Sequence, residues 1–117
     1  MPSYILLLKE DPNAFVEMSP EQMQAIIQRY KDWRDGLERD GRLVGSNKLT
    51  EEGGRLMSRA GNGDVRVTDG PYSETKEIIA GYFAYTADSY EHAVEIARDC
   101  PHLDFGEIHV REIDEHH

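Results

Sequence analysis

The uncharged run from Ile78 to Thr86 constrains the fold more than any other part of this sequence. In a β-strand, successive side chains point to opposite faces, and in this run neither alternating set carries a charge. Such a strand belongs in the middle of a sheet that is covered on both faces. Because the helices of so short a chain can cover only one face, we expect a second copy of the chain to cover the other, and we predict a homodimer.

A second central strand is predicted at the start of the chain, where Tyr4 to Leu8 is an unbroken apolar run. The first helix then has clear signals at its start, since Ser19 is a good N-cap, Pro20 suits the first helical position and Gln22 completes a capping box. Apolar residues recur at three- and four-residue steps along one helical face: Met23, Ile26, Ile27, Tyr30, Trp33 and Leu37. Gly41 is the expected stop.

The remaining elements follow in the same way from turn signals and periodicity. A strand is predicted from Arg42 towards Leu49, and a hairpin from residues 55–58 and 65–67, with its turn at residues 61–64. Asp88 is the expected N-cap of a second helix that buries Tyr90, Ala93, Val94 and Ala97. A closing strand covers residues 106–113.

This order of elements predicts one α+β domain over residues 1–117. Two strand–helix–strand units with an antiparallel relation give the ferredoxin-like βαββαβ arrangement, here with an inserted β-hairpin. Such a chain is long enough for one hydrophobic core and too short for two.

The charge balance bears on the partners of the chain. It has 13 basic and 23 acidic residues, a formal net charge of −10. An acidic surface repels phosphate backbones and anionic membranes, so we expect neither nucleic acid nor a membrane as a partner. A single cysteine, Cys100, allows no internal disulfide and is typical of a reducing, cytoplasmic setting. No apolar run is long enough to span a membrane.

The most distinctive stretch is the polar segment Asp69–Glu77, which contains a Gly-Pro turn signal. Carboxylates, an amine, hydroxyls and a phenol are crowded onto a constrained loop, which predicts a small-molecule site nearby. The candidate ligand-binding residues are Tyr72, Glu74, Thr75 and Lys76, with Tyr82 on the strand that follows. The alternative is a rigid, solvated connection whose side chains satisfy local backbone groups.

General acid–base chemistry requires a titratable group with a partner in a cleft that excludes water. Asp69 and His102, both at element ends, are the candidate catalytic pair. Under the alternative, His102 caps the turn after Pro101 and the tyrosines belong to the core.

Metal binding requires several ligands to converge. The internal candidates are His102 and His109, with Asp69, Asp104 and Glu107 as carboxylates. Because the chain has no His-x-x-x-His or Cys-x-x-Cys spacing, we predict no metal and no other cofactor.

The segment Val67–Glu77, followed by Gly81-Tyr82-Phe83, resembles the signature of the DGPF proteins within the YCII-related superfamily, with Tyr72 in place of the phenylalanine. The stretches 97–102 and 107–111 fit the same pattern, so the resemblance covers nearly the whole chain. It implies a dimeric α+β barrel, in which two ferredoxin-like units pack sheet to sheet.

The resemblance implies less about activity. The YCII branch carries a histidine on the first helix and an acidic residue near the end of the second, suggested as a catalytic pair. Tyr30 stands at the histidine position and Cys100 at the acidic one, with Asp99 one residue earlier, so that pair does not carry over. Two functions stay open. One is an uncharacterised small-molecule enzyme with acid–base chemistry in a cleft near residues 69–77, and the other is a non-catalytic small-molecule-binding or regulatory homodimer.

Overall fold

The computed structural model describes residues 1–69 and 77–115. The order of helices and strands is the predicted one, with a short 3-10 turn before the last strand. The elements are β1 (Ser3–Glu10), α1 (Pro20–Arg39), β2 (Leu43–Lys48), β3 (Arg55–Arg59), β4 (Val65–Asp69), β5 (Ile78–Thr86), α2 (Tyr90–Ala97), the 3-10 turn (Pro101–Asp104) and β6 (Glu107–Glu112).

The main sheet has the strand order β2-β5-β1-β6, and every neighbouring pair is antiparallel. Strands β1 and β5 are central, as their apolar runs predict. Strand β5 lies between β1 and β2, which is the split strand–helix–strand unit of the ferredoxin-like fold. The predicted fold class is therefore confirmed. Among the residues described, no helix is long and apolar enough to cross a membrane.

One face of the central strands forms the core. Tyr4 and Leu6 are buried and lie opposite Tyr85 and Phe83 in the register of β1 with β5. Helix α2 covers Tyr85, whose hydroxyl donates a hydrogen bond to the carbonyl of Ala93 at 2.8 Å. Helix α1 covers Phe83 through an edge-on contact of the Trp33 ring. Both helices therefore lie on the same face of the sheet.

The boundaries of α1 follow from local signals. The Ser19 hydroxyl accepts from the Gln22 amide at 3.1 Å, and the Gln22 side chain accepts from the Ser19 amide at 2.8 Å. This reciprocal pair is the predicted capping box. The helix ends at Arg39, and Gly41 follows with φ of 73°, a left-handed conformation that glycine adopts without strain.

The start of α2 corrects one prediction. Ser89, rather than Asp88, is the N-cap, because its hydroxyl accepts from the His92 amide at 3.1 Å. The amide of Asp88 donates instead to Nδ1 of His92 at 3.0 Å. The helix therefore begins one residue later than the sequence predicts.

The buried stripe of α2 also differs from the predicted one. Ala93 and Ala97 are buried as expected, but Tyr90 and Val94 are 45% and 41% exposed. The hydroxyl of Tyr90 accepts a hydrogen bond from the Glu112 amide at 2.7 Å, so this side chain spans the helix edge to β6. A polar contact at the end of the ring holds Tyr90 at the surface.

The sheet face away from the helices is apolar only along its centre. Ile5 and Leu7 alternate with the core residues of β1 and are partly exposed. Their partners on β5 are Ala84 and Tyr82, whereas on β6 they lie opposite Arg111 and His109. The predicted homodimer would cover this face, and it stays a prediction.

Candidate functional site

A cleft of about 430 Å³ opens between α1 and the sheet, beside the end of β1 and the start of β5. Its volume lies in the usual range for small-molecule sites. The walls are mainly apolar and are formed by Leu8, Phe15, Met23, Ile26, Ile27, Ile78, Ala80 and Phe83. The polar and charged lining residues include Tyr30, Tyr82, His102, Glu10, Glu51, Lys31, Arg34 and Lys48.

Tyr30 and His102 form a hydrogen-bonded pair in the wall of this cleft. The Tyr30 hydroxyl lies 2.8 Å from Nδ1 of His102, and Nε2 of the same ring lies 2.9 Å from the carbonyl oxygen of Lys9. A carbonyl oxygen only accepts, so we assign the ring proton to Nε2. In the neutral ring, Nδ1 then accepts the proton of the Tyr30 hydroxyl.

Burial keeps both members of this pair neutral. His102 is fully buried, and this loss of solvation lowers its pKa, although the hydrogen bond to the Lys9 carbonyl acts in the opposite sense. Burial is also the largest cause of the raised pKa of Tyr30, with smaller contributions from the charges of Cys100 and Glu10. The pair is therefore a neutral phenol donating to a neutral imidazole.

Gly106 makes the close approach of His102 to β1 possible. A Cβ atom at this position would lie 2.2 Å from the Lys9 carbonyl oxygen and 3.0 Å from Nε2 of His102. The first distance is a severe overlap with backbone. The amide of Gly106 also donates to the His102 carbonyl at 2.9 Å. This position therefore requires glycine, because any side chain would overlap the Lys9 carbonyl.

Contacts between α1 and the 3-10 turn hold Tyr30 beside His102. Arg29 forms a 2.6 Å ion pair with Asp104, and its guanidinium lies 5.6 Å from the centre of the Phe105 ring. The Phe105 ring in turn packs near Phe15, at 5.3 Å between ring centres. These contacts flank Tyr30 and fix the spacing of the helix from the turn.

Residues near the end of α2 have structural roles. Asp99, just after α2, accepts a hydrogen bond from the indole of Trp33 at 2.9 Å, and this bond connects the end of α2 to α1. Cys100 is buried, and burial raises the pKa of its thiol to about 11. A thiol that stays protonated at neutral pH is a poor nucleophile.

The predicted catalytic residues occupy different surroundings. The Asp69 side chain is 86% exposed and pairs with Arg55 at 3.4 Å. Its carboxylate makes no hydrogen bond to His102, whose two ring nitrogens are occupied by Tyr30 and Lys9. The structure therefore joins His102 to Tyr30 and not to Asp69, while the catalytic roles themselves stay predictions.

The predicted ligand-binding residues are described only in part. Tyr82 lines the cleft, and its hydroxyl accepts from the Asn47 amide group at 3.0 Å. Tyr72, Glu74, Thr75 and Lys76 lie outside the described residues, so their predicted roles stay predictions.

Glu10, which sequence reasoning missed, is a half-buried carboxylate of the cleft. Burial raises its pKa and is the largest cause, with Lys48 acting to lower it. Within residues 1–69 and 77–115, the Glu10 carboxylate makes no hydrogen bond or close ion pair. The sequence signal is its position at the end of a buried strand, where side chains meet the edge of a sheet. Over the same two ranges, no group of three or more histidine, cysteine or acidic side chains is placed to hold a metal ion.

Two helices on one face of an antiparallel β2-β5-β1-β6 sheet, with a cleft under the first helix, define a ferredoxin-like α+β protein. The family model for the YCII-related domain matches residues 3–116, and the chain belongs to that family. Comparison with curated proteins finds no match. Among solved structures, the chain is similar to the ensemble-refined crystal structure of At3g17210 from Arabidopsis thaliana, at 14% identity and a TM-score of 0.38, over 100% of this chain and 97% of that one.

Proposed function

We propose that this chain is a small-molecule enzyme of the YCII-related family, in which Tyr30 and His102 together move a proton to or from a ligand held in the cleft. The observation that carries the proposal is the 2.8 Å hydrogen bond between a phenol and a buried imidazole in the wall of an otherwise apolar cleft. Acid–base groups within hydrogen-bond reach of a bound ligand are typical of proton-transfer sites.

The pair acts as a base in two linked movements. The Tyr30 oxygen accepts a proton from an acidic bond of the ligand, and the original hydroxyl proton passes to Nδ1 of His102. The ligand is left as an anion and His102 as an imidazolium, whose Nε2 proton still donates to the Lys9 carbonyl. Reversal of the same movements returns a proton to the ligand, and return to a different atom would complete an isomerisation.

The backbone of Lys9 has a defined part in this scheme. By accepting from Nε2, its carbonyl selects the tautomer that leaves Nδ1 free to receive the tyrosine proton. It also offers a hydrogen bond to the imidazolium, which partly offsets the cost of burying that charge. Lys9 therefore orients the base without contacting the ligand.

The proposal changes the partner of His102 from Asp69 to Tyr30. Asp69 is exposed and paired with Arg55, so we assign it to the hairpin rather than to proton transfer. Tyr82 borders the cleft, but it pairs with Leu7 and alternates with Phe83, which places its side chain on the sheet face away from α1. We therefore do not assign its hydroxyl to ligand binding.

A second candidate function is non-catalytic: a small-molecule-binding or regulatory homodimer that uses the same cleft. The observation in its favour is that His102 is fully buried and hydrogen-bonded at both ring nitrogens. A pair satisfied in this way would also serve as a clamp between α1 and β1, with Tyr30 contributing only shape to the cleft.

We propose the homodimer for both functions, with the open face of β1 and β5 as the shared surface. The support is the run of partly exposed apolar side chains at Ile5 and Leu7 on that face. Analytical ultracentrifugation of the wild type should give a dimer at micromolar concentration, and Leu7→Glu should give a folded monomer. A wild-type chain that sediments as a stable monomer at that concentration would refute the assembly.

A thermal-shift screen of metabolites and metal ions, followed by proton NMR of each hit in D₂O, tests the catalytic proposal. We expect a hit whose acidic hydrogen exchanges with deuterium in the presence of the wild type, with exchange lost in Tyr30→Phe while binding is kept. Tyr82→Phe is the matched control, since it removes a tyrosine hydroxyl outside the pair, on the opposite face of the sheet. Hits that bind without exchange or turnover would favour the non-catalytic function.

A further inference from the structure

The charges around the cleft point to the class of its ligand, an inference that rests on the proposal that the cleft is the site. The chain as a whole has a net charge of −10. Among the lining residues within 1–69 and 77–115, the balance differs, because three side chains are basic and two are acidic. A local excess of cations on an acidic protein concentrates anions at that place.

Lys31 and Lys48 are the clearest part of this excess. Neither amine has a hydrogen bond or close ion pair with any residue in the described ranges, although acidic residues outnumber basic ones in the chain. Lys48 interacts electrostatically with Glu10, which lies at the same end of the cleft. Lys31, on α1, is the less compensated of the two.

Arg34 joins the two sides of the opening. Its Nε donates to the Ser46 hydroxyl at 3.2 Å, so the side chain reaches from α1 to β2. Its guanidinium also lies 3.4 Å from Asp35 and 3.8 Å from Glu38, so Lys31 is the less compensated cation of α1. Lys31 is three residues earlier and lies on the same side of the helix. Lys48 is two residues beyond Ser46 and points to the same face of the strand. Lys31 and Arg34 therefore lie on the α1 side of the rim, and Lys48 lies on the β2 side, near Glu10.

We propose that the cleft takes a small amphipathic anion, with an apolar body among the wall residues and one carboxylate at the Lys31–Arg34 rim. The apolar wall gives most of the contact area, as is usual in small-molecule sites, and the cations give orientation. Glu10 repels a carboxylate at the Lys48 end of the cleft, so the α1 side of the rim is the favoured place for the head group. The apolar body then lies against the wall that includes Tyr30.

Three ligands with the same body and different head groups test this proposal: 3-phenylpropanoate, 3-phenylpropan-1-ol and 3-phenylpropylamine. Their dissociation constants are measured by NMR titration of the full chain at low salt. We expect the carboxylate to bind about fivefold more tightly than the alcohol, and the amine to bind most weakly. Raising the salt concentration should reduce the preference for the carboxylate.

The variant Lys31→Met should weaken carboxylate binding about three- to fivefold and leave alcohol binding unchanged. Arg39→Met is the matched control, because it makes the same change in net charge on α1 at a residue outside the cleft lining. The control should leave both dissociation constants as in the wild type.

Equal affinity for the alcohol and the carboxylate, or equal losses in Lys31→Met and Arg39→Met, would overturn the assignment of an anion and leave the cleft as a site. Failure of all three ligands to bind at millimolar concentration would overturn the ligand class and the cleft together. Carboxylate preference without deuterium exchange in any bound ligand would instead support the ligand class and count against the proposed proton transfer.

Discussion

Removal of the Tyr30 hydroxyl is the most direct test of the hydrogen-bonded pair. Tyr30→Phe keeps the ring, and with it the contact to the Phe105 side chain, so it creates no large cavity. The change leaves Nδ1 of His102 as a buried acceptor without a donor. The expected destabilisation is therefore the cost of an unsatisfied buried polar atom and not of lost ring packing.

That cost is about 1–3 kcal/mol for a buried polar group without a partner. Tyr30 is only partly buried and lines an open cleft, so water can reach the vacated position and the lower half of this range is expected. A loss of about 1–2 kcal/mol corresponds to a fall of roughly 4–8 °C in the midpoint of thermal unfolding for a chain of this size.

Urea denaturation at pH 8 measures the change, with Tyr82→Phe as the control. The Tyr82 hydroxyl pairs with an exposed amide, so its loss should change the free energy of unfolding by less than about 0.5 kcal/mol. Equal effects for the two variants, or a more stable Tyr30→Phe protein, would refute the assignment of the tyrosine as donor to Nδ1.

Three further predictions follow from the same region. Because burial lowers the folded-state pKa of His102 below 6.5, the unfolded chain binds the extra proton, and stability in urea denaturation should fall below about pH 6.5 by up to about 1.4 kcal/mol per pH unit. The control His109→Gln, which replaces an exposed histidine, should show the same fall in stability between pH 8 and pH 5. A wild-type stability that does not change over this pH range would contradict the prediction. Gly106→Ala should lower the free energy of unfolding by about 1–3 kcal/mol and shift the His102 ring ¹⁵N signals, because the new Cβ would overlap the Lys9 carbonyl. The control Gly45→Ala has open space around it and should change neither quantity. The raised pKa of Glu10 means that the folded chain holds the proton more tightly than the unfolded chain, so the ionised carboxylate at pH 7 lowers stability. Glu10→Gln should therefore raise the midpoint of thermal unfolding at pH 7. This gain should vanish below the ordinary glutamate pKa of 4.5, where the carboxyl is protonated in both states. A lower midpoint at pH 7 would show that the carboxylate stabilises the fold.

Local signals carry much of the fold. The capping box of Ser19 and Gln22 involves residues close together in the chain. The two central strands follow from uncharged apolar runs, which are typical of strands in the middle of a sheet. The N-cap of α2 is harder to predict, because Asp88 and Ser89 are adjacent residues of equal capping strength. Tertiary contacts decide between them, including the bond from Tyr90 to β6.

The candidate site is less predictable for a physical reason. Tyr30 has the spacing of a core residue on α1, and it does pack beside the core, so its pattern contains no sign of a polar partner. Its hydroxyl meets a ring 72 residues away, a distance at which periodicity has no information. The signal that could have found it is its position in the family resemblance, where Tyr30 replaces a histidine suggested to be catalytic.

The site also has a consequence for how the chain folds. The His102 ring joins residues that are 72 and 93 positions away in the sequence, through Tyr30 on α1 and Lys9 on β1. Contacts of such separation require long loops to close, and this slows their formation. The ring can reach both partners only after the first strand, the first helix and the C-terminal turn have come together. The ¹⁵N signals of His102 are therefore a marker of completed folding of this domain, and a growing chain gains its proposed active site only after His102 has been made.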